Sequence, residues 1–537
     1  MKARYVVTMM LALITLMCHA EIFEAEGLWF ETTSDETVTL IVKPSGGGMF
    51  ITKNVYQGDI VVPETITCQD RTYTVTAIKD DAFTESPDLT SVTIPATVLS
   101  MGDSPFLACP KLSTVTVADG NPAFIVVDGM LFNHDVTTLL TCPATTVGEV
   151  TVPDQVTTVN RGAFYDCTKV TAIDLPSTVS DIGSVTFFHC DRLADIVFPE
   201  GVTALADSLM FYCTSLKSVS FPQSLKTIGK RTFYQCSKLT RLDLPGSLEE
   251  IGEYAFSICY GVNSVTLPAC LRKIGYRAFE NCSKIKRITL PASVENVAIQ
   301  VFVGCNDLRS IEVADENPFF CSDDGVLFDK EKTTLICCPS GRIDDEYVVP
   351  SSVTTIGEYG FYYCRLIDKI TLPFGLRELR TGAFRLCSKL KTVVLPPLVS
   401  TLGEEVFNSC SGLKSILCYA SPVPQVAAKP FTNSNLSVPL YVPAASLEDY
   451  QSADKWLSFS TILPLSAEVV DGMMGDTNDD GNVTVFDVLQ TVNVLLGIPV
   501  VNYHWQRGDM NFDGLFTVTD VISIVNKVVG DATPAGE

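Results

Sequence analysis

Apolar and polar positions follow one another along most of the chain in a pattern that repeats every 23 residues. The pattern is complete from Ile228 to Pro245, and it starts again at Ile251 and at Ile274. In each copy an Ile-Gly pair comes first, a Phe and a Cys follow, and an apolar series ends in Leu-Pro. A fixed period of this length predicts a solenoid, in which every repeat forms one coil that stacks on its neighbours.

Each coil divides into two parts. From Leu239 to Leu244 the residues alternate between apolar and polar, which predicts a short strand with one side in the core, and Pro245 ends it. The Ile-Gly-x-x-Ala-Phe part predicts a short turn or helix, with the Phe inside. The predicted fold class is therefore an α/β-type repeat solenoid, a leucine-rich repeat of parallel β coils joined by short turns or helices.

The pattern also predicts the domain boundaries. Residues 21–76 precede the regular coils and predict an N-terminal β cap, while the solenoid spans 77–465 and closes with a C-terminal cap over 419–465. Near 117–158 and 313–355 the period breaks, and turn residues separate short apolar runs, so each stretch predicts a coil that carries a β-hairpin. Twelve coils are expected, starting at Ile78, Met101, Val159, Ile182, Leu205, Ile228, Ile251, Ile274, Val297, Ile356, Leu379 and Leu402.

The first twenty residues have the composition of a signal peptide. Lys2 and Arg4 precede a short apolar run, and Ala20 is a small residue suited to the cleavage position. Lipid attachment at Cys18 is the alternative, although the residues before it fit poorly. We expect an extracellular or cell-surface protein, with no transmembrane segment in the mature chain.

The net charge and the motifs of the chain argue against several classes of function. The chain has 38 basic and 62 acidic residues and a net charge of −24, which argues against binding to nucleic acid. Its four histidines are scattered, and no nucleophile elbow, zinc-protease motif or phosphate-binding loop is present. We therefore expect no catalytic residues and no enzymatic activity.

The chain contains 19 cysteines, and most of them obey the repeat. Cysteine is a good small buried residue, and a column of parallel side chains has poor geometry for bridging, so buried thiols are the favoured interpretation. Cys142, Cys337 and Cys338 lie off the column, where a disulfide is more plausible. The column consists of Cys109, Cys167, Cys190, Cys213, Cys236, Cys259, Cys282, Cys305, Cys364, Cys387 and Cys410.

A second column is aromatic. The residue after the core Phe position is Tyr165, Phe188, Phe211 and Tyr234 in four consecutive coils. Such a column is either a ligand-binding stripe or a cover for the coil backbone. The outward strand positions carry small and mixed residues and no aromatic platform, which favours a protein partner of the solenoid over a glycan.

The most specific chemistry lies near the C-terminus, in two twelve-residue loops. Each has oxygen-bearing side chains at positions 1, 3, 5, 9 and 12 and a glycine at position 6, a spacing that wraps hard oxygen donors around Ca²⁺. Position 7 would add a backbone carbonyl, so two calcium ions are expected. The predicted ligands are Asp476, Asn478, Asp480, Asn482, Thr484 and Asp487 in the first loop, and Asp509, Asn511, Asp513, Leu515, Thr517 and Asp520 in the second.

Each loop leads into an amphipathic helix, and no helix precedes it. Two such half EF-hands over residues 475–531, after a linker at 466–474, resemble a type I dockerin domain. The resemblance implies calcium binding and a cohesin partner, with partner contacts at loop positions 10 and 11. Those positions are Val485 and Phe486 in the first loop and Val518 and Thr519 in the second. Because this family usually has hydroxyl residues there, a calcium-stabilised anchor or export element is the alternative.

The coil pattern over residues 25–465 resembles the BspA-type leucine-rich repeats of bacterial surface proteins. That resemblance implies a secreted, non-enzymatic binding or adhesion protein, in which the solenoid recognises a protein and the dockerin-like module docks or anchors it. The alternative hypothesis is an accessory component of an extracellular polysaccharide-degrading complex, assembled through dockerin–cohesin binding.

Overall fold

A computed structural model describes residues 21–42, 56–470, 472, 474–498, 500 and 503–531. The predicted signal peptide and Cys18 lie outside these described residues. The chain divides into two compact units, residues 1–256 and 257–537, and we describe them one after the other.

The first unit is built from strands. They are β1 (Ile22–Ala25), β2 (Leu28–Thr32), β3 (Thr37–Ile41), β4 (Gln57–Val61), β5 (Thr65–Cys68), β6 (Arg71–Ile78), β7 (Asp88–Ile94), β8 (Ser100–Met101), β9 (Thr114–Val117), β10 (Phe124–Val127), β11 (Met130–Asn133), β12 (Thr138–Thr141), β13 (Gly148–Thr151), β14 (Thr158–Val159), β15 (Val170–Asp174), β16 (Asp181–Ile182), β17 (Asp195–Val197), β18 (Ala204–Leu205), β19 (Ser218–Ser220), β20 (Thr227–Ile228), β21 (Arg241–Asp243) and β22 (Glu250–Ile251).

The N-terminal end of this unit is closed by a sheet of order β1-β2-β3-β6-β5. Strands β1, β2 and β3 pair antiparallel in sequence, whereas β3 and β6 are parallel. The β1–β2 hairpin was not predicted from the sequence. It is nevertheless part of the core, because Phe30 on β2 is fully buried. Its antiparallel strands lie at the end of the first unit's parallel coils.

Each regular coil contributes two strands. The longer one carries the alternation seen in the sequence, since Leu242 is buried between exposed Arg241 and Asp243. The shorter one has two residues, such as Thr227–Ile228, and the sequence analysis did not predict it. Parallel pairing aligns Leu205 with Ile228 and Ile228 with Ile251, so the 23-residue period becomes an in-register stack of backbones.

The Ile-Gly-x-x-Ala-Phe part forms tight turns and no helix. Two residues in each turn take left-handed backbone angles, as Val185 (φ 53°) and His189 (φ 60°) do. The backbone N–H groups of Phe187 and His189 donate to Leu209 and Phe211 of the next coil, at 2.9 and 2.8 Å. Because these donors bond between coils, they cannot form the i to i−4 bonds of an α-helix.

The column cysteines of the described residues are thiols with a defined hydrogen-bonding role. The Sγ of Cys190 lies 3.3 Å from the carbonyl oxygen of Phe164, one coil earlier, and Cys213 makes the same contact with Phe187 at 3.1 Å. Both thiols are fully buried, and burial raises their pKa values. A thiol therefore fits this position because it is small and also satisfies a buried carbonyl.

The second unit continues with β coils and ends in helices. Its strands are β23 (Ser264–Thr266), β24 (Lys273–Ile274), β25 (Arg287–Leu290), β26 (Asn296–Val297), β27 (Ser310–Val313), β28 (Phe320–Asp323), β29 (Val326–Asp329), β30 (Thr334–Cys337), β31 (Glu346–Val348), β32 (Thr355–Ile356), β33 (Lys369–Thr371), β34 (Glu378–Leu379), β35 (Thr392–Leu395), β36 (Thr401–Leu402), β37 (Ser415–Cys418), β38 (Gln425–Val426), β39 (Pro439–Val442) and β40 (Thr461–Pro464). Its helices are α1 (Leu447–Ser452), α2 (Val485–Leu495) and α3 (Val518–Asp531), with 3₁₀ turns at Ala444–Ser446 and Trp505–Arg507.

Two sheets of this unit hold its C-terminal coils together. One has the order β28-β29-β30-β32-β34-β36-β38 and the other β31-β33-β35-β37-β39-β40. Strand β40 adds to the second sheet in parallel register with β39. Around it Tyr450, Trp456 and Phe459 are buried. Their rings pack against one another and against Phe431 and cover the core at this end.

Both units contain a coil with antiparallel hairpins, β10-β11-β12 in the first and β28-β29-β30 in the second. A buried Asn precedes each hairpin. The amide of Asn317 donates to the carbonyls of Pro291 and Val294, and its oxygen accepts from the N–H groups of Phe319 and Phe320, all within 3.0 Å. Asn121 makes the equivalent four bonds in the first unit.

We expect Asn317→Ala to lower the free energy of unfolding by about 3 kcal/mol, because it leaves four buried or half-buried backbone groups without their side-chain partner. Asn317→Asp should also destabilise, since it replaces an amide donor with an oxygen that faces two carbonyls. Thermal and urea unfolding of the full chain measure both. The exposed Asn263→Ala is the matched control, and an Asn317→Ala variant as stable as that control would contradict the assignment.

Candidate calcium loops and partner-binding surfaces

The first candidate calcium loop winds around two buried carboxylates. Asp476 accepts from the backbone N–H groups of Asp480 (3.2 Å) and Gly481 (3.0 Å). Asp487 is fully buried at the start of α2, where it accepts from the N–H groups of Thr477 (2.7 Å) and Thr484 (2.8 Å). It thereby forms a capping box with Thr484. Asp487, at position 12 of the loop, therefore also stabilises the start of the helix that follows.

The second loop repeats this arrangement. Asp509 accepts from Gly514 N–H at 3.1 Å, and Asp520, at the start of α3, accepts from Met510 (2.9 Å) and Thr517 (2.9 Å). In both loops the Asn at position 3 donates its amide to the Asp at position 5, at 2.8 Å. Two loops that differ in sequence at positions 2, 4, 7, 8 and 11 thus share most of these internal hydrogen bonds.

Asp509 carries the clearest sign that a cation suits this site. Its Oδ1 is buried and has no hydrogen-bond partner among the described residues. Desolvation, reinforced by the nearby carboxylates Asp520 and Asp513, raises the pKa of Asp509 to about 7. A buried carboxylate without a partner is costly, and a divalent cation at this point would offset that cost.

The donor set fits Ca²⁺ better than a transition metal. Within the described ranges no group of three or more His, Cys, Asp or Glu side chains is placed to hold an ion, and this includes the three aspartates of each loop. The remaining donors in each loop are Asn, Thr and carbonyl oxygens, which are hard ligands that Ca²⁺ accepts in sets of six to eight. The assignment of the twelve ligands therefore stays a prediction, consistent with the chemistry of the loops.

The four loop positions predicted to contact a partner are exposed. Val485, Phe486 and Val518 are 61%, 72% and 67% exposed, and Thr519 is exposed beside them. The apolar surface continues for about three turns along each helix. It includes Leu489 on α2 and Leu496 directly after it, and Ile522, Val525 and Val529 on α3. We call this set, with Val485, Phe486, Val518 and Thr519, the helix face. Only the first residues of this face were predicted from the sequence.

The module that carries the loops packs against β coils of the same unit through Trp505, a contact that the sequence analysis missed. The Trp505 ring is buried, and its Nε1–H donates to the carbonyl of Leu372 at 2.9 Å. It meets Tyr419 edge to face, with ring centroids 4.9 Å apart, inside an apolar cluster with Leu417, Leu465 and Val470. No periodic signal marks a single Trp in a turn, so its role could be found only from the structure.

The second loop takes part in the same contact. The ring centroids of Phe516 and Phe374 lie 5.3 Å apart. A Cβ added to Gly514 would lie 2.3 Å from the carbonyl oxygen of Tyr419. Gly514 also has φ +75°, so its lack of a side chain serves both the loop turn and the close approach of the coil. The second loop therefore faces the coils of this unit.

Arg507 is the second residue that the sequence analysis missed. Its buried guanidinium donates to the backbone carbonyl of Asp476 at 3.2 Å and to the carboxylate of Asp479 at 2.7 Å. This hydrogen bond holds the pKa of Asp479 below its usual value. Asp479 is position 4 of the first loop, so this interaction explains why one acidic side chain of the loop is directed away from the predicted ligand set.

The predicted aromatic column is present in the first unit as a stack of half-buried rings. Tyr165, Phe188, Phe211 and Tyr234 lie nearly parallel, with centroids 4.5 to 5.1 Å apart. Tyr212 packs edge to face against Phe188, Phe211 and Tyr234. Because parallel stacking covers the flat faces of the rings, the column presents mainly ring edges to solvent.

Comparisons with known proteins agree with this architecture. The model of the BspA type leucine rich repeat region matches residues 62–128, 142–260, 208–322 and 345–447, and that of the dockerin type I domain matches residues 474–529. No curated protein matches the chain.

Similar solved structures include a leucine rich cell surface protein from Faecalibacterium prausnitzii, with 23% identity over 83% of this chain and 95% of that one and a TM-score of 0.36. A leucine-rich repeat protein from Bacteroides ovatus has 20% identity over 83% and 100% of the two chains, with a TM-score of 0.40. One from Eubacterium ventriosum has 24% identity over 51% and 73%, with a TM-score of 0.43.

The fold and the C-terminal loops define a leucine-rich repeat solenoid protein with a docking module. The repeat model matches more than half of the 537 residues, and the chain belongs to the BspA-type leucine-rich repeat family, with a type I dockerin domain at its C-terminal end. Dockerin domains of this type generally bind calcium and cohesins. None of the helices in the described ranges has the length and apolar character that a membrane span requires.

We expect Trp505→Ala to release the module from the coils, because it removes a buried ring and its hydrogen bond to Leu372. Hydrogen exchange measured by mass spectrometry should show faster exchange in residues 370–374, 415–419 and 503–517, with the protection of α2 and α3 retained. Phe486→Ala, at an exposed position, is the control. Unchanged exchange in the Trp505→Ala variant would show that the ring does not hold the module in place.

We expect the full chain to bind two calcium ions and Asp480→Ala to weaken one of them by about tenfold or more. Isothermal titration of the chelator-treated protein measures stoichiometry and affinity. Asp513→Ala should weaken the other ion in the same way. Asp479→Asn is the matched control, since this neighbouring side chain bonds Arg507. Two ions bound with unchanged affinity by Asp480→Ala would exclude the proposed ligand set.

Proposed function

We propose that this chain is an exported, non-enzymatic binding protein. Its solenoid recognises a protein partner, and its dockerin module attaches the chain to a cohesin-like or surface protein when calcium is bound. The export expectation rests on the sequence of residues 1–20. The proposal that the module docks to a protein rests on one observation, the helix face. Its large apolar side chains lie in solvent.

The helix face supports a protein partner on physical grounds. Exposed apolar side chains that are contiguous, rather than scattered singly, mark interaction surfaces. Phe486, Val518 and Leu496 are each more than half exposed, and the same two helices begin at the candidate calcium loops. Because Asp487 and Asp520 cap these helices from within the loops, calcium binding there would stabilise the helix starts on which the face depends.

The solenoid supplies a second, separate surface. On the strands of the first unit, Asp195, Val197, Ser218 and Ser220 point outward and are exposed. These side chains are small and of mixed polarity, which suits a protein surface. The aromatic column is proposed to add ring-edge contacts to a partner, since its flat faces are already covered by neighbouring rings.

The docking proposal is tested by capture of cohesin-bearing proteins on the immobilised full chain. Capture is expected with calcium, and it should fall about tenfold or more in chelator or with Phe486→Asp combined with Val518→Asp. Val197→Asp, an exposed apolar residue on a solenoid strand, is the matched control and should leave this capture unchanged. Capture that is insensitive to calcium and to the helix-face variant would refute the proposal.

The same experiment separates the two functional hypotheses. Captured proteins that include polysaccharide-degrading enzymes would favour an accessory role in such a complex. Binding of the chain to host or bacterial surfaces that persists in chelator and falls with Val197→Asp or Phe188→Ala would favour adhesion through the solenoid. Folded Phe188→Ala protein with unchanged surface binding would remove the aromatic column from the recognition surface.

A further inference from the structure

The two hairpin coils place a second cysteine beside the column at equivalent positions. In regular coils the carbonyl that accepts the column thiol belongs to a Phe, as for Cys190 with Phe164, or to Met210 in one case. At both hairpin coils the accepting carbonyl belongs to a cysteine instead. Cys167 points at the carbonyl of Cys142, and Cys364 at the carbonyl of Cys338, both at 3.7 Å.

These two column thiols have weaker backbone contacts than the others. Elsewhere in the column the sulfur-to-oxygen distances to the preceding coil are 3.0 to 3.3 Å, whereas Cys167 and Cys364 reach their carbonyls only at 3.7 to 4.0 Å. Interaction with the neighbouring thiol, Cys142 or Cys338, raises the pKa of each. All four side chains are buried.

We infer that Cys142 pairs with Cys167 and Cys338 with Cys364, and that each pair closes to a disulfide when the chain folds in the presence of an oxidised thiol–disulfide reagent. The pairs are independent, since each lies within its own unit, and they arise at the same place in two separate hairpin coils. Each bond joins the hairpin coil to the regular coil after it. There the short-strand pairing spans only two residues on each side, Thr138–Leu139 with Thr158–Val159 and Thr334–Leu335 with Thr355–Ile356.

The chemistry is a two-electron oxidation of each pair. One thiolate attacks the disulfide of the reagent, forms a mixed disulfide and releases one reduced thiol. The second thiolate then attacks the protein sulfur of the mixed disulfide and releases the other reduced thiol. Two protein protons are lost and the reagent gains the two electrons. Because all four side chains are buried and enclosed in the folded chain, the exchange belongs to folding, before the coils close.

Cys337 is the competing partner for Cys338. It precedes Cys338 in the sequence, and both line a cavity of about 270 Å³. The first hairpin coil has Thr141 at the equivalent position, so only the Cys142–Cys167 arrangement is common to both coils. That shared arrangement favours Cys364 over Cys337 as the partner of Cys338.

The test is peptide mapping of the full chain after refolding from denaturant in a glutathione redox buffer. Remaining thiols are alkylated, and the protein is digested with trypsin without reduction. Peptide 112–161 should be recovered joined to 162–169, and peptide 333–342 joined to 343–365, each pair lighter by two hydrogen atoms than the separate peptides. Cys190, Cys213 and Cys337 should be recovered alkylated.

Substitutions then test the pairing itself. Cys142→Ser should leave Cys167 alkylated and the second pair intact, and Cys338→Ser should do the reverse. Cys190→Ser, at a regular column position, is the control and should leave both crosslinks in place. Since the mapping of the unsubstituted chain stands by itself, a variant that fails to fold does not remove the test. Recovery of all four cysteines as alkylated thiols, or Cys167 joined to Cys190, or Cys338 joined to Cys337, would overturn the inference.

Discussion

The parallel, in-register stacking of backbones is the constraint on which both units depend. When Leu205 pairs with Ile228 and Ile228 with Ile251, every position of one coil lies beside the same position of the next. A residue type that suits a position therefore suits it repeatedly, and its neighbour in the adjacent coil is of the same type. The stacked core rings of Phe361, Phe384 and Phe407, at 5.2 and 5.4 Å, follow from this translation.

The same constraint decides which polar groups the interior can hold. Strand ladders and inter-coil turn bonds satisfy most backbone groups, and the column thiols add a donor to the carbonyl of the residue one coil earlier. Where the period breaks, a different residue must serve. At the two hairpin coils, Asn121 and Asn317 use every donor and acceptor of their amides. The carbonyl that faces the column thiol there belongs to Cys142 or Cys338 in place of the core Phe. Irregular coils are thus built from side chains that complete the hydrogen bonding lost with the repeat.

Periodicity explains how much of the architecture was predictable. The strand at Arg241–Asp243 was predicted because its burial alternates, whereas Thr227–Ile228 was missed because two residues are too few to show alternation. The turns were left open as turn or helix, since left-handed residues such as Val185 and His189 carry no common side-chain type. The candidate calcium loops were recognisable because their predicted ligands have a fixed spacing within twelve residues. Trp505 and Arg507 were not, because their contacts lie far away in sequence, at Leu372 and at Asp476 and Asp479.

The position of Trp505 determines how the module can act. Anchoring the turn before the second loop directs Gly514 and Phe516 toward Tyr419 and Phe374, and the helix face remains in solvent. The two loops are therefore not equivalent in this chain, although they share most of their internal hydrogen bonds. The first loop borders solvent and Arg507, while the second is enclosed partly by the coils, which accounts for the desolvated carboxylate of Asp509. An ion bound in the second loop would stabilise the helix start of α3 and the loop surface that packs on the coils, so calcium binding there would be linked to attachment of the module through the same residues.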